Sequence, residues 1–251
     1  LIKAVFFDLD DTLCTYWDAS KRALRETFEK HWPENHTPDQ MVAEWAAAFR
    51  SFLPEIKTPA WYDTYLKSGE TTRTEQMRRT LLRLEKEDPA LAAQLSTTYG
   101  NLRNQYLELF PEAKEVLDKF RGRVPLGLIT NGPADIQRQE IDTLGISDYF
   151  DHVFIEGEQG IGKPEPEVFK RAERAVGLPP SDLLFVGNSY LHDILPAIQA
   201  GWKTAWIRKV TDVPPSSNGK TSKPEEQPAN TPPPDLTTAD LRDIFPLVFQ
   251  D

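Results

Sequence analysis

Lys3-Ala4-Val5-Phe6-Phe7-Asp8-Leu9-Asp10-Asp11-Thr12-Leu13 is the stretch on which the reading of the chain turns. Its run of β-branched and aromatic residues, with no turn residue inside, predicts a buried parallel strand. That strand ends in three carboxylates within four positions. Like charges so close repel one another, most strongly at low dielectric. A divalent cation held by oxygen ligands is the simplest source of compensating charge. A single Asp here would read as a turn or cap residue; the cluster points to a site.

Immediately beyond this stretch the pattern turns helical for about a hundred residues. Residues 20–32 carry Ala23, Leu24, Phe28 and Trp32 at helical spacing, and residues 39–52 carry Met41, Val42, Trp45, Ala46, Phe49 and Phe52. Pro38 precedes the second of these helices, with Pro54 and Pro59 expected after its end. Two more helices are expected over 74–86 and 89–109. The region reads as an all-α bundle inserted after the first strand.

From Pro111 onward strands and helices alternate. Strands are predicted at 124–130, 152–155, 183–186 and 204–207, with helices at 112–121, 135–144, 165–176 and 193–200. Gly145, Gly177 and Gly201 close three of those helices. This alternation predicts an α/β fold, a doubly wound, Rossmann-like parallel sheet covered by helices on both faces. Residues 212–235 are rich in Pro, Ser, Asn, Thr and Lys, too poor in apolar surface to offset their ordering entropy, and predict a mobile surface excursion. Residues 236–248 return to apolar spacing and predict a last helix.

The 251 residues suffice for one large domain or two small ones. A formal net charge of −10 argues against nucleic acid or an anionic membrane as the main partner. The single cysteine, Cys14, excludes an internal disulfide and fits a reducing cytosol; it reads as a small apolar side chain. No signal peptide or membrane span is legible, so a cytoplasmic protein is expected and the sequon at Asn35 carries no weight.

Ligands of open parallel sheets bind beyond the carboxyl ends of the strands. Collecting the polar residues there brings together Asp8 and Asp10, then Thr130, Asn131 and Gly132, then Lys163 after Gly162, and finally Asn188, Ser189 and Asp193. Taken alone, Thr130 is a turn former, Lys163 a surface lysine and Asp193 a helix-cap acid. Their common position at one end of successive strands argues for a shared site.

Four motifs, Asp8-Leu-Asp-Asp-Thr-Leu13, Ile129-Thr-Asn-Gly132, Gly162-Lys-Pro-Glu-Pro-Glu-Val-Phe169 and Val186-Gly-Asn-Ser-Tyr-Leu-His-Asp193, stand in one order. In this the chain resembles the haloacid dehalogenase superfamily of hydrolases, in the branch with a helical cap. The resemblance implies a core of residues 1–14 and 111–251 and a cap of 15–110. It implies that Asp8 is a nucleophile forming an aspartyl-phosphate and Asp10 an acid and base. Thr130, with Asn131 and Gly132, would bind the phosphoryl oxygens, and Lys163 would offset their charge. Mg2+ would be held by Asp8, the Asp10 carbonyl, Asn188 and Asp193. An acid two residues after the nucleophile marks the phosphate-processing branches, whereas dehalogenases lack it and need no metal. Asn188 departs from the family, in which many relatives carry Asp, and removes one negative charge from the metal loop.

The expected activity is Mg2+-dependent hydrolysis of a small phosphorylated metabolite by a monomer or homodimer. A phosphomutase or a phosphonate hydrolase is the near alternative, the latter requiring a cap lysine among Lys21, Lys30, Lys57, Lys67 and Lys86. More remote are a signalling receiver, which the helical insertion and the Asp8/Asp10 spacing oppose, and a non-catalytic interaction protein that keeps the fold. Thr15, Tyr16, Trp17, Trp61, Tyr62, Tyr65 and Arg73 are cap residues that could face the site. Trp45 and Trp61 are expected in the bundle core, and Arg73, Arg78 and Arg79 on a solvated helix face. The four histidines show no metal-ligand spacing.

Overall fold

The computed structural model describes residues 1–31, 35–215 and 223–249; Trp32 and part of the proline-rich excursion lie outside them. β1 (Ala4–Phe7) leads into five helices, α1 (Tyr16–His31), α2 (Pro38–Ile56), α3 (Tyr62–Lys67), α4 (Gly69–Leu82) and α5 (Pro89–Tyr106). The alternating part follows: α6 (Ala113–Phe120), β2 (Leu126–Thr130), α7 (Ala134–Thr143), β3 (His152–Ile155), α8 (Glu156–Gln159), α9 (Pro166–Val176), β4 (Leu183–Gly187), α10 (Leu195–Gln199) and β5 (Lys203–Ile207). β6 (Leu236–Thr238) and α11 (Phe245–Val248) end the described chain.

The six strands form one parallel sheet in the order β3-β2-β1-β4-β5-β6. Strand order reverses at β1, which lies between β2 and β4, so the crevice at its carboxyl end is where a doubly wound sheet binds ligands. Alternate side chains of β1 serve two cores. Val5 and Phe7 pack with α6 and the chain's last turns, including Phe120, Leu241 and Ile244. Ala4 and Phe6 pack with α9 and Trp202 on the other face. Double-sided burial is why the strand carries no polar alternation. Gly127 of β2 leaves room for Phe6, whose ring would lie 2.1 Å from a Cβ placed there.

The helices α1, α2, α4 and α5 enclose a separate apolar cluster built on Phe28, Met41, Trp45, Met77, Leu95 and Tyr99. Thr37 and Gln40 start α2 with a reciprocal capping box. Contrary to expectation, α2 runs through Pro54 to Ile56. A proline in the last turn removes only one backbone bond, and the burial of Phe52 and Ile56 continues the helix.

The predicted helix over 236–248 is also corrected. Leu236-Thr-Thr238 adds an edge strand beside β5, and a 3-10 turn at Leu241–Ile244 and the short α11 follow. Leu241, Ile244 and Val248 still share a buried face, which is the spacing the sequence displayed. The expected helix start at Asp193 is instead a π-helical turn, Tyr190–Ile194, ahead of α10. Among the described residues no helix is long and apolar enough to cross a membrane.

Candidate active site

The end of β1 delivers Asp8, whose amide donates to the Val186 carbonyl of β4 at 2.9 Å. The chain then tightens on the Leu9 carbonyl, which accepts from the amides of Thr12 and Leu13, and Asp11 adopts a positive φ of 58° to make the turn. The acids therefore stay at the strand end, lining one cavity of about 350 Å3 with Thr130, Lys163, Asn188 and Asp193.

Lys163 organises this floor. Its ammonium lies 2.6 Å from Asp8 Oδ1 and 2.6 Å from Asp193 Oδ1, with all three groups buried. Thr12 Oγ1 donates to Asp8 Oδ2 at 3.0 Å, and the Ser189 amide donates to Asp193 Oδ2 at 2.9 Å. Asp193 reaches this position because residue 187 is glycine: a Cβ there would stand 2.5 Å from Asp193 Oδ2. Burial, opposed by Lys163 and reinforced by Asp193, raises the Asp8 carboxyl to about 6. Burial, then Glu140 and Asp8, hold Asp10 well above the usual carboxylate range. Burial is the first cause of the rise in both acids; Lys163 opposes it at Asp8 and Arg103 opposes it at Asp10.

The next loops place the other predicted residues, but not all with the side chain free. The Thr130 hydroxyl donates to Gln137 Oε1 at 2.5 Å. Asn131 forms a reciprocal pair with the Lys163 backbone, Nδ2 to the carbonyl at 2.7 Å and the amide to Oδ1 at 2.8 Å. Its side chain holds the lysine loop. The Gly132 amide is likewise engaged, by Glu156 Oε2 at 3.2 Å. Asn188 Oδ1 lies 3.3 Å from the Thr12 hydroxyl, on the Asp8 side. Cys14 is a buried free thiol, raised by burial and then by Asp10, and so stays protonated.

Above the floor, a second chamber of about 210 Å3 lies between the helices and the sheet. It shares Asp10, Tyr16, Trp17, Phe49 and Asn131 with the floor cavity. Tyr16, Trp17, Tyr65 and Arg73 line it as the sequence suggested. Trp45 lines it too, while remaining in the helical core. Trp61 does not; it packs edge-on against Phe52. Thr15 donates to the Glu108 carbonyl and Tyr62 to Glu156, away from both chambers. Arg73 departs from the solvated face expected of it, donating to Ser96; Arg79 departs from it in part, half-buried over Phe52 and paired with Glu55, and Arg78 pairs with the half-buried Glu75.

Four residues missed by sequence reasoning join the helical layer to the sheet around these cavities. Arg103 of α5 pairs with Glu140 of α7 at 2.9 Å, with both buried. Gln137 Nε2 donates to Glu140 Oε2 at 2.8 Å and to Asp10 Oδ2 at 3.2 Å. Glu156, also buried, accepts from Lys57, Tyr62 and Tyr65 of the helical layer. Buried polar residues of a helix carry no mark in the sequence that separates them from solvated ones. The i, i+3 spacing of Gln137 and Glu140 is the one signal that could have found them.

This arrangement belongs to a defined class. A family model described as haloacid dehalogenase-like hydrolase matches residues 2–201, and a second, HAD-hydrolase-like, matches 160–244. The chain belongs to the haloacid dehalogenase-like hydrolase family. It is 32% identical over 82% of its length to a glyceraldehyde 3-phosphate phosphatase of Pyrococcus furiosus, covering 81% of that protein. It is 30% identical over 97% of its length to a phosphoserine phosphatase of Thermus thermophilus, covering 98% of it. An N-acylneuraminate-9-phosphatase of Rattus norvegicus is 29% identical over 86% of this chain and 87% of its own. In fold it is similar to the HAD-hydrolase YfnB of Bacillus subtilis, a structure bound to magnesium, with a TM-score of 0.72 at 19% identity over 98% of each chain.

Proposed function

We propose that the protein is a Mg2+-dependent phosphatase of a small phosphorylated metabolite, acting through an aspartyl-phosphate on Asp8. The observation that carries this reading is Lys163 set 2.6 Å from both Asp8 and Asp193, with Asp10 lining the same cavity. The named phosphatases among its relatives agree with it.

The donor set available to a metal consists of oxygens: Asp8, the Asp10 carbonyl, Asn188 Oδ1 and Asp193, the hard ligands that Mg2+ takes. Two carboxylates and two neutral oxygens would make the set; among the described residues no group of three or more His, Cys, Asp or Glu side chains gathers as a metal cluster. The charge balance also fits. Among the described residues Lys163 is the only Lys or Arg lining the cavity, where it faces both the Asp8 and the Asp193 carboxylates. Mg2+ there would neutralise charge on the nucleophile and the phosphoryl oxygens.

The chain's residues then divide the work. An Asp8 oxygen attacks phosphorus as the ester P–O bond breaks, and Asp10 gives its proton to the departing oxygen, releasing an alcohol. Water next attacks phosphorus and returns a proton to Asp10. The P–O bond to Asp8 breaks, leaving inorganic phosphate and the free carboxylate. Lys163 stays close to the oxygens that gain charge. Residues 15–110 act as a cap whose aromatic chamber holds the leaving group and excludes water.

Phosphonate hydrolysis by a Schiff base is disfavoured because no cap lysine lines either chamber; Lys57 pairs with Glu156 instead. The test is phosphate release from a panel of sugar, nucleotide and small organic phosphates, with Mg2+ or EDTA, beside Asp8→Asn. Metal-dependent turnover that disappears in the variant is expected. Turnover surviving in Asp8→Asn contradicts the mechanism, and none from the wild type under any metal contradicts the activity.

A further inference from the structure

The proline-rich stretch that the sequence presents as a passive excursion reaches the metal loop. Asp212 Oδ2 accepts from Asn188 Nδ2 at 3.0 Å. That bond settles which way the amide faces: Nδ2 toward Asp212, and Oδ1 toward Thr12 and Asp8. The Thr12 hydroxyl has one proton and sits closer to Asp8 Oδ2, at 3.0 Å, than to Asn188 Oδ1, at 3.3 Å. Asn188 Oδ1 therefore keeps acceptor capacity directed at the floor.

The connection is anchored on both sides. Trp206 Nε1 donates to the Asn188 carbonyl at 2.7 Å, fixing the backbone that carries the amide. Further along the same stretch, Glu225 accepts from the amides of Tyr190 and Leu191 at 2.9 and 3.0 Å, and the Tyr190 hydroxyl donates to the Pro232 carbonyl at 2.5 Å. The stretch thus clasps the loop that bears Asn188, Ser189 and Asp193.

We propose that Asp212 is a positioning residue for the metal site, orienting and polarising Asn188 so that its neutral amide oxygen serves as a ligand. An acceptor on the NH2 group draws electron density toward the carbonyl oxygen, and partners behind a ligand commonly set its orientation. Asp212 does not touch the metal in this account. Its charge replaces, from behind, part of the charge that Asn188 lacks. The inference rests on the Mg2+ reading of the site given above.

The experiment is Mg2+ titration of the metal-free protein by calorimetry, with the melting temperature followed in parallel. It compares the wild type, Asp212→Ala, Asp212→Asn, Asn188→Asp and the Asn188→Asp/Asp212→Ala double variant. Asp212→Ala should weaken Mg2+ binding about tenfold, the lower end of the range for such partners. Asp212→Asn, which keeps an acceptor oxygen, should lose less. In the Asn188→Asp background the sign reverses: removing Asp212 relieves carboxylate repulsion and should leave affinity equal or higher. Equal weakening in both backgrounds, or none in the wild-type background, overturns the inference while leaving the metal reading standing. No Mg2+ binding by the wild type overturns both.

Discussion

At the seam between the helices and the sheet, Arg103 meets Glu140 one to one at 2.9 Å, with Gln137 bonded to the same carboxylate. On the floor beneath, Lys163 stands between Asp8 and Asp193 at 2.6 Å each, while Asp10 and Asp11 lie beside them. Both regions bury charge, and both are bridged by Gln137, which touches Glu140 above and Asp10 below. The seam is balanced by the protein's own groups. The floor sets several acids against one lysine; burial raises the carboxyls of Asp8, Asp10 and Asp11 there, as it raises Glu140 at the seam. A balanced buried pair joins two layers; on the function proposed above, the unbalanced one would receive a cation and a phosphoryl group.

Substitutions that change the balance separate the two roles. The largest expected effect is on the floor. Lys163→Met should reduce phosphate release about 10²–10³-fold, the scale of losing a charge-stabilising donor, with melting temperature showing whether the variant is folded. At the seam the expected loss is in stability. Glu140→Leu leaves Arg103 buried and unpaired, at a cost of about 3–5 kcal/mol in urea unfolding. Adding Arg103→Met should recover most of that cost, because two apolar side chains can replace a buried pair. If the double variant is no more stable than the single, the seam is not the simple balanced pair described.

A smaller effect concerns pH. Burial first, and then Asp212, raise Asp11 to about 8. Its unfolded carboxyl titrates near 4, on the order of the ordinary Asp value. Between these values the folded state keeps a proton that the unfolded state has lost, so stability should fall as pH rises through the window. Asp11→Asn should flatten that slope and gain stability at pH 8. Urea midpoints at pH 5 and pH 8 measure it, and an unchanged slope would place the ionisation elsewhere.

Much of the core was legible because parallel strands buried on both faces read as uninterrupted apolar runs. Residues 4–7, 126–130 and 183–187 are such runs, and the polar residues after them met at one crevice. Asp8, Lys163 and Asp193 came together for that reason. The partners of Thr130, Asn131 and Gly132 could not be read in advance, because Gln137, the Lys163 backbone and Glu156 lie on elements whose buried polar faces look like surface in a linear sequence. The link from Asp212 to Asn188 ties the first residue of the proline-rich stretch back to the loop after β4 by one side-chain hydrogen bond, beside the buried Val213. Composition predicts apolar anchoring; it is silent on anchoring by single carboxylates.

Calorimetric titration of Mg2+ into the metal-free chain tests the contrast between floor and seam most directly. The account predicts saturable binding to the wild type, at least tenfold weaker binding to Asp193→Asn, and wild-type binding to the Arg103→Met/Glu140→Leu variant. Unchanged affinity in Asp193→Asn, or affinity lost with the seam pair, would contradict it.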